Sequence, residues 1–204
     1  MRKLAFVALL LMAVLPARAA PARTDISPAG GSPRAVLAFV PQKMFREDDL
    51  EDLMRRLGHA GYDVIVAAPD TTIAVGMART VIHPGLRLDA ADPRDFAALV
   101  LINGSGAVLC WDDSLLHERI RAFAAAGRLV AALGVTPVTL ARTGLLKGRR
   151  ATVFPHRAAV TDLVRAGARY VARPVVEDGN IMTASDSRYV NLFGRALIAW
   201  LRRH

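Results

Sequence analysis

Cysteine is almost missing from this sequence. Cys110 is the only one in 204 residues, so no intramolecular disulfide can form in any compartment and packing must hold the fold together. Aromatic residues make up 6% of the chain and do not interleave with its arginines, which occur singly or in pairs such as Arg55-Arg56, Arg149-Arg150 and Arg202-Arg203. That is the pattern of a solvated basic surface, and no nucleic-acid partner is expected. A membrane-spanning run is missing too: the uncharged apolar stretch from Leu4 to Leu15 covers about 12 residues, where a bilayer crossing needs roughly 20. His59, His83, His117 and His156 show no metal-ligand spacing and His204 ends the sequence, so neither a metal nor a cofactor is expected. There is no internal repeat and no sign of a second domain.

What is present is the composition of one globular domain, 53% hydrophobic and 22% charged. Met1-Arg-Lys3, the apolar run and Pro16-Ala-Arg-Ala19 together read as a signal peptide, residues 1–19, cut after Ala19. The protein is then exported, periplasmic or secreted, with no stable membrane span after cleavage. Cleavage removes Arg2, Lys3 and Arg18 and no acid, so the formal charge of +9 falls by three, to +6. Residues 20–33, rich in Pro, Gly and Ser without apolar periodicity, read as a flexible linker. The folded domain is 34–204.

Within it, short continuous apolar runs alternate with helical periodicity. Ala35 to Val40, Tyr62 to Ala68 and Phe96 to Ile102 read as strands buried on both faces of a parallel sheet, whereas Pro41 to Phe45 reads as a loop. Leu50, Leu53, Met54 and Leu57 mark a helix with Glu47, Asp48 and Asp49 in its first turn, where acids complement the helix dipole, and Gly61 ends it. Residues 71–92 suggest a small β excursion. Asp112-Asp113 opens a second helix, Arg150 to Phe154 reads as a strand, and Ala159 to Val164 lies on a further helix. Glu177-Asp-Gly-Asn180 is a hairpin turn signal, and a last helix runs from about Arg188 to Leu201. The fold class is α/β, a flavodoxin-like three-layer sandwich with a mostly parallel sheet.

The strongest site signal is the stretch from Arg128 to Pro137. An apolar run ends at Gly134 and a helix with proline in its first turn follows, which puts residue 134 on a tight strand-to-helix turn. Such a turn holds one side chain above the edge of a parallel sheet, beside amide groups that stabilise an anion. Many hydrolases place their nucleophile there. Here the residue is glycine.

The order of elements, with Gly144 to Thr152, Pro174 to Ala184, Asn103-Gly-Ser-Gly106 and Trp111-Asp-Asp113, resembles the ThiJ/PfpI superfamily, related to class I glutamine amidotransferase domains. The resemblance covers roughly Ala35 to Leu201. Members typically read Ala-x-Cys-x-Gly-Pro at the elbow, with a glutamate from the first helix bonded to the thiol and often a histidine nearby. Carried over, the cysteine falls on Gly134, its neighbours on Val135 and Thr136, the glutamate on Asp49 and the His-Pro on Phe154-Pro155. The resemblance also implies amide donors from Gly104-Ser105 and Val135, and a homodimer.

Each of these residues has a plainer use. Gly134 tolerates a strained turn, Asp49 complements a helix dipole, and Ser105 and Thr136 can cap or close turns. Trp111 can pack beside the pocket or wall it. The expectation is a pseudoenzyme that has lost cysteine-based catalysis and binds a small carbonyl or anionic ligand in the vestigial pocket of Asp49, Gly104, Ser105, Trp111, Gly134, Val135, Thr136 and Phe154. The alternative is a hydrolase, deglycase or glyoxalase-type enzyme with displaced chemistry, using Cys110 as nucleophile and an acid such as Asp49, Asp112 or Asp113 as its orienter.

Overall fold

A computed structural model gives the structure of the protein and describes residues 33–204. The expected signal peptide and all of the expected linker but Pro33 lie outside the described residues.

In chain order the strands are β1 (Ala35–Phe39), β2 (Lys43–Phe45), β3 (Asp63–Ala68), β4 (Ala74–Gly76), β5 (Val81–Ile82), β6 (Leu86–Arg87), β7 (Ala98–Leu101), β8 (Leu129–Leu133), β9 (Arg150–Ala151), β10 (Arg169–Tyr170), β11 (Val175–Asp178) and β12 (Ile181–Ala184). The helices are α1 (Glu47–His59), α2 (Ser114–Ala125), α3 (Pro137–Arg142), α4 (Arg157–Arg165) and α5 (Val190–Leu201). Seven strands form the main sheet in the order β11-β12-β8-β7-β1-β3-β6, parallel except for the β11–β12 hairpin.

Side-chain alternation along these strands divides the core into two layers. Val36, Ala38, Val100 and Leu133 face α1 and α5, whose Leu53, Leu57, Phe193 and Trp200 cover them. Leu37, Phe39, Leu101 and Val130 face the other way, onto Ile120 and Phe123 of α2, Leu140 of α3 and Leu163 of α4. This is why the strand sequences read as unbroken apolar runs: both faces are buried.

The connection from β1 leads outward to β3, while β7 lies on its other side. The order of winding therefore reverses at β1, and the crevice above the C-terminal ends of β1 and β7 is where open α/β sheets bind ligands. Two elements differ from the sequence reading. Lys43–Phe45 is a strand, not a loop, and pairs with β4 in a separate sheet β2-β4-β5. The strand expected over Arg150 to Phe154 is reduced to Arg150–Ala151, paired with β10. Both are runs of two or three residues whose pairing is decided by distant partners, so no local period could announce them.

Candidate functional site

The elbow forms as the sequence predicts. Gly134 follows β8 with φ +70°, a backbone region that favours glycine, and Pro137 opens α3 three residues later. The turn is tied down on every side. Gly134 N–H donates to the Ala184 carbonyl at 2.9 Å, and its own carbonyl accepts from Phe154 N–H at 2.8 Å. The buried Thr136 hydroxyl accepts from Leu133 N–H at 2.9 Å and lies within bonding reach of the Leu101 and Leu133 carbonyls. Thr136 is thus used up in closing the turn.

Beside the elbow, the loop after β7 turns at Asn103. Gly104 and Gly106 let this loop lie against β2: a β-carbon on Gly104 would come within 2.7 Å of Phe45 Cα, and one on Gly106 within 2.9 Å of the Lys43 carbonyl carbon. The Asn103 carbonyl accepts from Arg46 N–H at 2.8 Å, which fixes the loop to the start of α1. Ser105 is exposed in the following 3-10 turn.

The first-turn acids of α1 have separate fates. Asp48 is exposed. Glu47 is buried, and its carboxylate accepts from the backbone N–H of Ala78 at 2.6 Å and of Thr80 at 3.4 Å, holding the β4–β5 turn. Asp49 is 1% exposed and accepts a hydrogen bond from the Ser187 hydroxyl at 2.6 Å. Arg46 Nε lies 3.7 Å from its other oxygen. Burial pushes the Asp49 carboxyl up to about 6, against the opposing pull of the Ser187 hydroxyl and Arg46. Asp49 is therefore far more than a dipole complement.

An open cavity of about 340 Å³ lies beside these groups, lined by Arg46, Asp49, Asn103, Phe154, Ser187 and Arg188 among others. Arg188 is paired with Asp186 at 3.1 Å, and the Phe154 ring is 38% exposed at the rim. A cavity of about 280 Å³ by Arg34, Arg128 and Trp200 sits at the N-terminal ends of the strands, away from the elbow.

Trp111 is not a wall of the Asp49 cavity. Its indole N–H donates to the Val135 carbonyl at 3.3 Å, and the Arg142 guanidinium lies 5.0 Å from its ring centre, held by Asp112 and Asp162. Cys110, at the end of the 3-10 turn, packs into the core layer beneath α2 and α3. Burial, with the Asp113 carboxylate adding to it, pushes its thiol up to about 11. Among the described residues no group of three or more His, Cys, Asp or Glu side chains could hold a metal ion.

A model of the DJ-1/PfpI family fits residues 34–200. The chain belongs to the DJ-1/PfpI family. It is 34% identical over 170 residues to an uncharacterized protein of Methanocaldococcus jannaschii, covering 83% of each chain. It is 28% identical over 166 residues to deglycase PfpI of Pyrococcus furiosus, covering 81% of this chain and 95% of that one. The crystal structure of a ThiJ/PfpI domain protein from Brachyspira murdochii superposes with a TM-score of 0.81 at 22% identity, over 85% of this chain and 99% of the other. That last likeness establishes the flavodoxin-like fold.

The structure gathers Asp49, Gly134, Val135 and Phe154 at one end of the sheet and leaves Cys110 in the core. Asn103, Ser187 and Arg46 join the site without having been anticipated. Asn103 stood in the sequence only as the first residue of the Asn103-Gly-Ser-Gly106 motif, and Ser187, 84 positions further on, carried no signal at all.

Proposed function

We propose that the mature chain is an exported binding protein that has given up cysteine-based turnover and holds a small carbonyl-bearing or anionic molecule at the C-terminal edge of the sheet, as a homodimer. The observation that carries this reading is the separation of acid from thiol. The acid buried in the cavity, Asp49, reaches the elbow only through Ser187 and Asn103, and the elbow itself offers no side chain, while the one thiol of the chain is buried elsewhere with its proton firmly held. Arg46 and Arg188 line the cavity together with Asp48, Asp49 and Asp186, so it presents charge of both signs, and it is large enough for one small molecule.

The alternative is an enzyme acting through Cys110. It draws on relatives such as the Pyrococcus furiosus protein named a deglycase. Against it, a nucleophilic cysteine needs a lowered thiol pKa, and both burial and Asp113 act on Cys110 in the opposite direction. One experiment separates the two. Purified mature protein is assayed for deglycase, glyoxalase and amide-hydrolase turnover beside a heat-killed control, and Cys110 is labelled with iodoacetamide at neutral pH. The binding reading expects no turnover above control and labelling slower than free cysteine. Turnover abolished by Cys110→Ser would overturn it.

A further inference from the structure

Basic residues that stand apart in the sequence meet on one face of the folded chain. β9 and β10 pair so that Arg150 stands directly opposite Arg169. Their neighbours Ala151 and Tyr170 pack into the core, so side-chain alternation turns both arginines outward, and both are exposed. Like charges placed opposite each other oppose folding. The Arg169 N–H donates to the Arg149 carbonyl at 2.8 Å, and the Arg149 guanidinium donates to the Asp178 carbonyl at 3.0 Å. Gly148 N–H donates to the Gly167 carbonyl at 2.8 Å, and a β-carbon on Gly167 would come within 3.3 Å of Lys147 Cγ. Lys147 therefore lies across the short link between Arg165, the last residue of α4, and Arg169. The acids nearby leave this face positive. Among the described residues, Asp178 is the one carboxylate within 4.0 Å of a cationic group of Lys147, Arg149, Arg150, Arg165 or Arg169. Glu177 is paired with Arg203, and Asp162 with Arg142.

We infer that the face formed by Lys147, Arg149, Arg150, Arg165 and Arg169 docks the protein on an anionic phospholipid bilayer. None of these residues lines the Asp49 cavity or the cavity at the other end of the sheet, so the face meets a surface and not a small molecule held in a hollow. Clusters of four to eight basic side chains are what the phosphate plane of an anionic leaflet attracts. Val164, beside Arg165, is 54% exposed and gives the face an apolar side chain to set among lipid headgroups. A nucleic acid is disfavoured because the one aromatic ring of these strands, Tyr170, packs against the core and is not free to stack on a base. The inference is independent of what the Asp49 cavity holds.

The test is co-sedimentation of the mature protein with vesicles of phosphatidylglycerol and phosphatidylcholine in equal parts, beside vesicles of phosphatidylcholine alone. Binding is expected to the first and not to the second, and to weaken as salt is added. Each basic side chain at such a surface contributes about fivefold to partitioning, so Arg150→Ser combined with Arg169→Ser is expected to lower it roughly twenty-five-fold. The melting temperature of that double variant should hold or rise, since two opposed like charges are gone. Arg55→Ser combined with Arg195→Ser removes the same charge from α1 and α5, which cover the other face of the sheet, and should leave binding nearly unchanged. If the strand variant does not fold, Lys147→Ser combined with Arg165→Ser, both outside the strand pair, takes its place with the same expected loss. No binding to the anionic vesicles overturns the inference, as does equal binding to phosphatidylcholine alone. An equal loss in the α1 and α5 variant would show that net charge and not this face is responsible, and tighter binding to duplex DNA than to the vesicles would assign the face to a nucleic acid; either result overturns it.

Discussion

Asp49 is the residue whose protonation should be visible in the stability of the whole protein. Its carboxyl ordinarily titrates near 3.8 and is pushed up to about 6 by burial in the folded state. The folded protein therefore holds this proton more tightly than the unfolded chain, and between those two pH values stability falls as pH rises. Below about pH 4 the penalty is absent, and above about pH 6 it is complete, on the order of 2–3 kcal/mol. Asp49→Asn keeps an acceptor for the Ser187 hydroxyl and removes the charge. Denaturant unfolding at pH 8 should find Asp49→Asn more stable than the unaltered protein, and the two should converge near pH 4. A variant less stable at pH 8 would mean that the ionised carboxylate is held by more than Ser187 and Arg46. In the sequence Asp49 could be placed on the first turn of a helix and, through the family likeness, near the elbow. Its hydroxyl partner could not be seen, because Ser187 approaches only when α5 packs beside α1.

At the scale of elements, the β2-β4-β5 sheet decides the geometry of the site although β2 has only three residues. It presses on the loop after β7 so closely that Gly104 and Gly106 have backbone where a β-carbon would stand. Gly106→Ala must push Lys43 away, and backbone yields less readily than a side chain, so a loss of roughly 3 kcal/mol or more is expected. Thermal unfolding measures this. A melting temperature unchanged from the unaltered protein would show that β2 is loosely held and cannot set the position of Asn103. Gly104 and Gly106 were legible as part of the Asn103-Gly-Ser-Gly106 motif, but the reason for them was not. Lys43-Met-Phe45 has no period long enough to read as a strand, and Met44 takes φ +60°, which no pattern of hydrophobicity announces.

For the whole molecule, two readings reach beyond a single domain: export and pairing. No helix among the described residues is long and apolar enough to cross a membrane. Met44, Met77, Val81, Val108 and Leu109 are exposed, on segments that contact one another through β2, β4 and β5. Expressed with its full sequence in a bacterial host, the protein is expected in the periplasm or medium with a mass beginning at Ala20. Sedimentation equilibrium is expected to give twice that mass. A protein that keeps Met1, or sediments as a monomer at micromolar concentration, would sink the corresponding reading.

The sequence by itself determined the α/β order of elements, the two-faced burial of the central strands and the glycine elbow ahead of Pro137, because each is written in local periodicity or in a short run of residue types. Only the tertiary structure decided what stands over that elbow. Asn103 and Ser187 meet across 84 positions, and Ser187 reaches Asp49 across 138, contacts made by packing whole helices and strands against one another. Hydrogen bonds of that range leave no period in the chain. For the same reason the burial that holds the proton on Cys110 and raises the pKa of Asp49 belongs to the folded state alone.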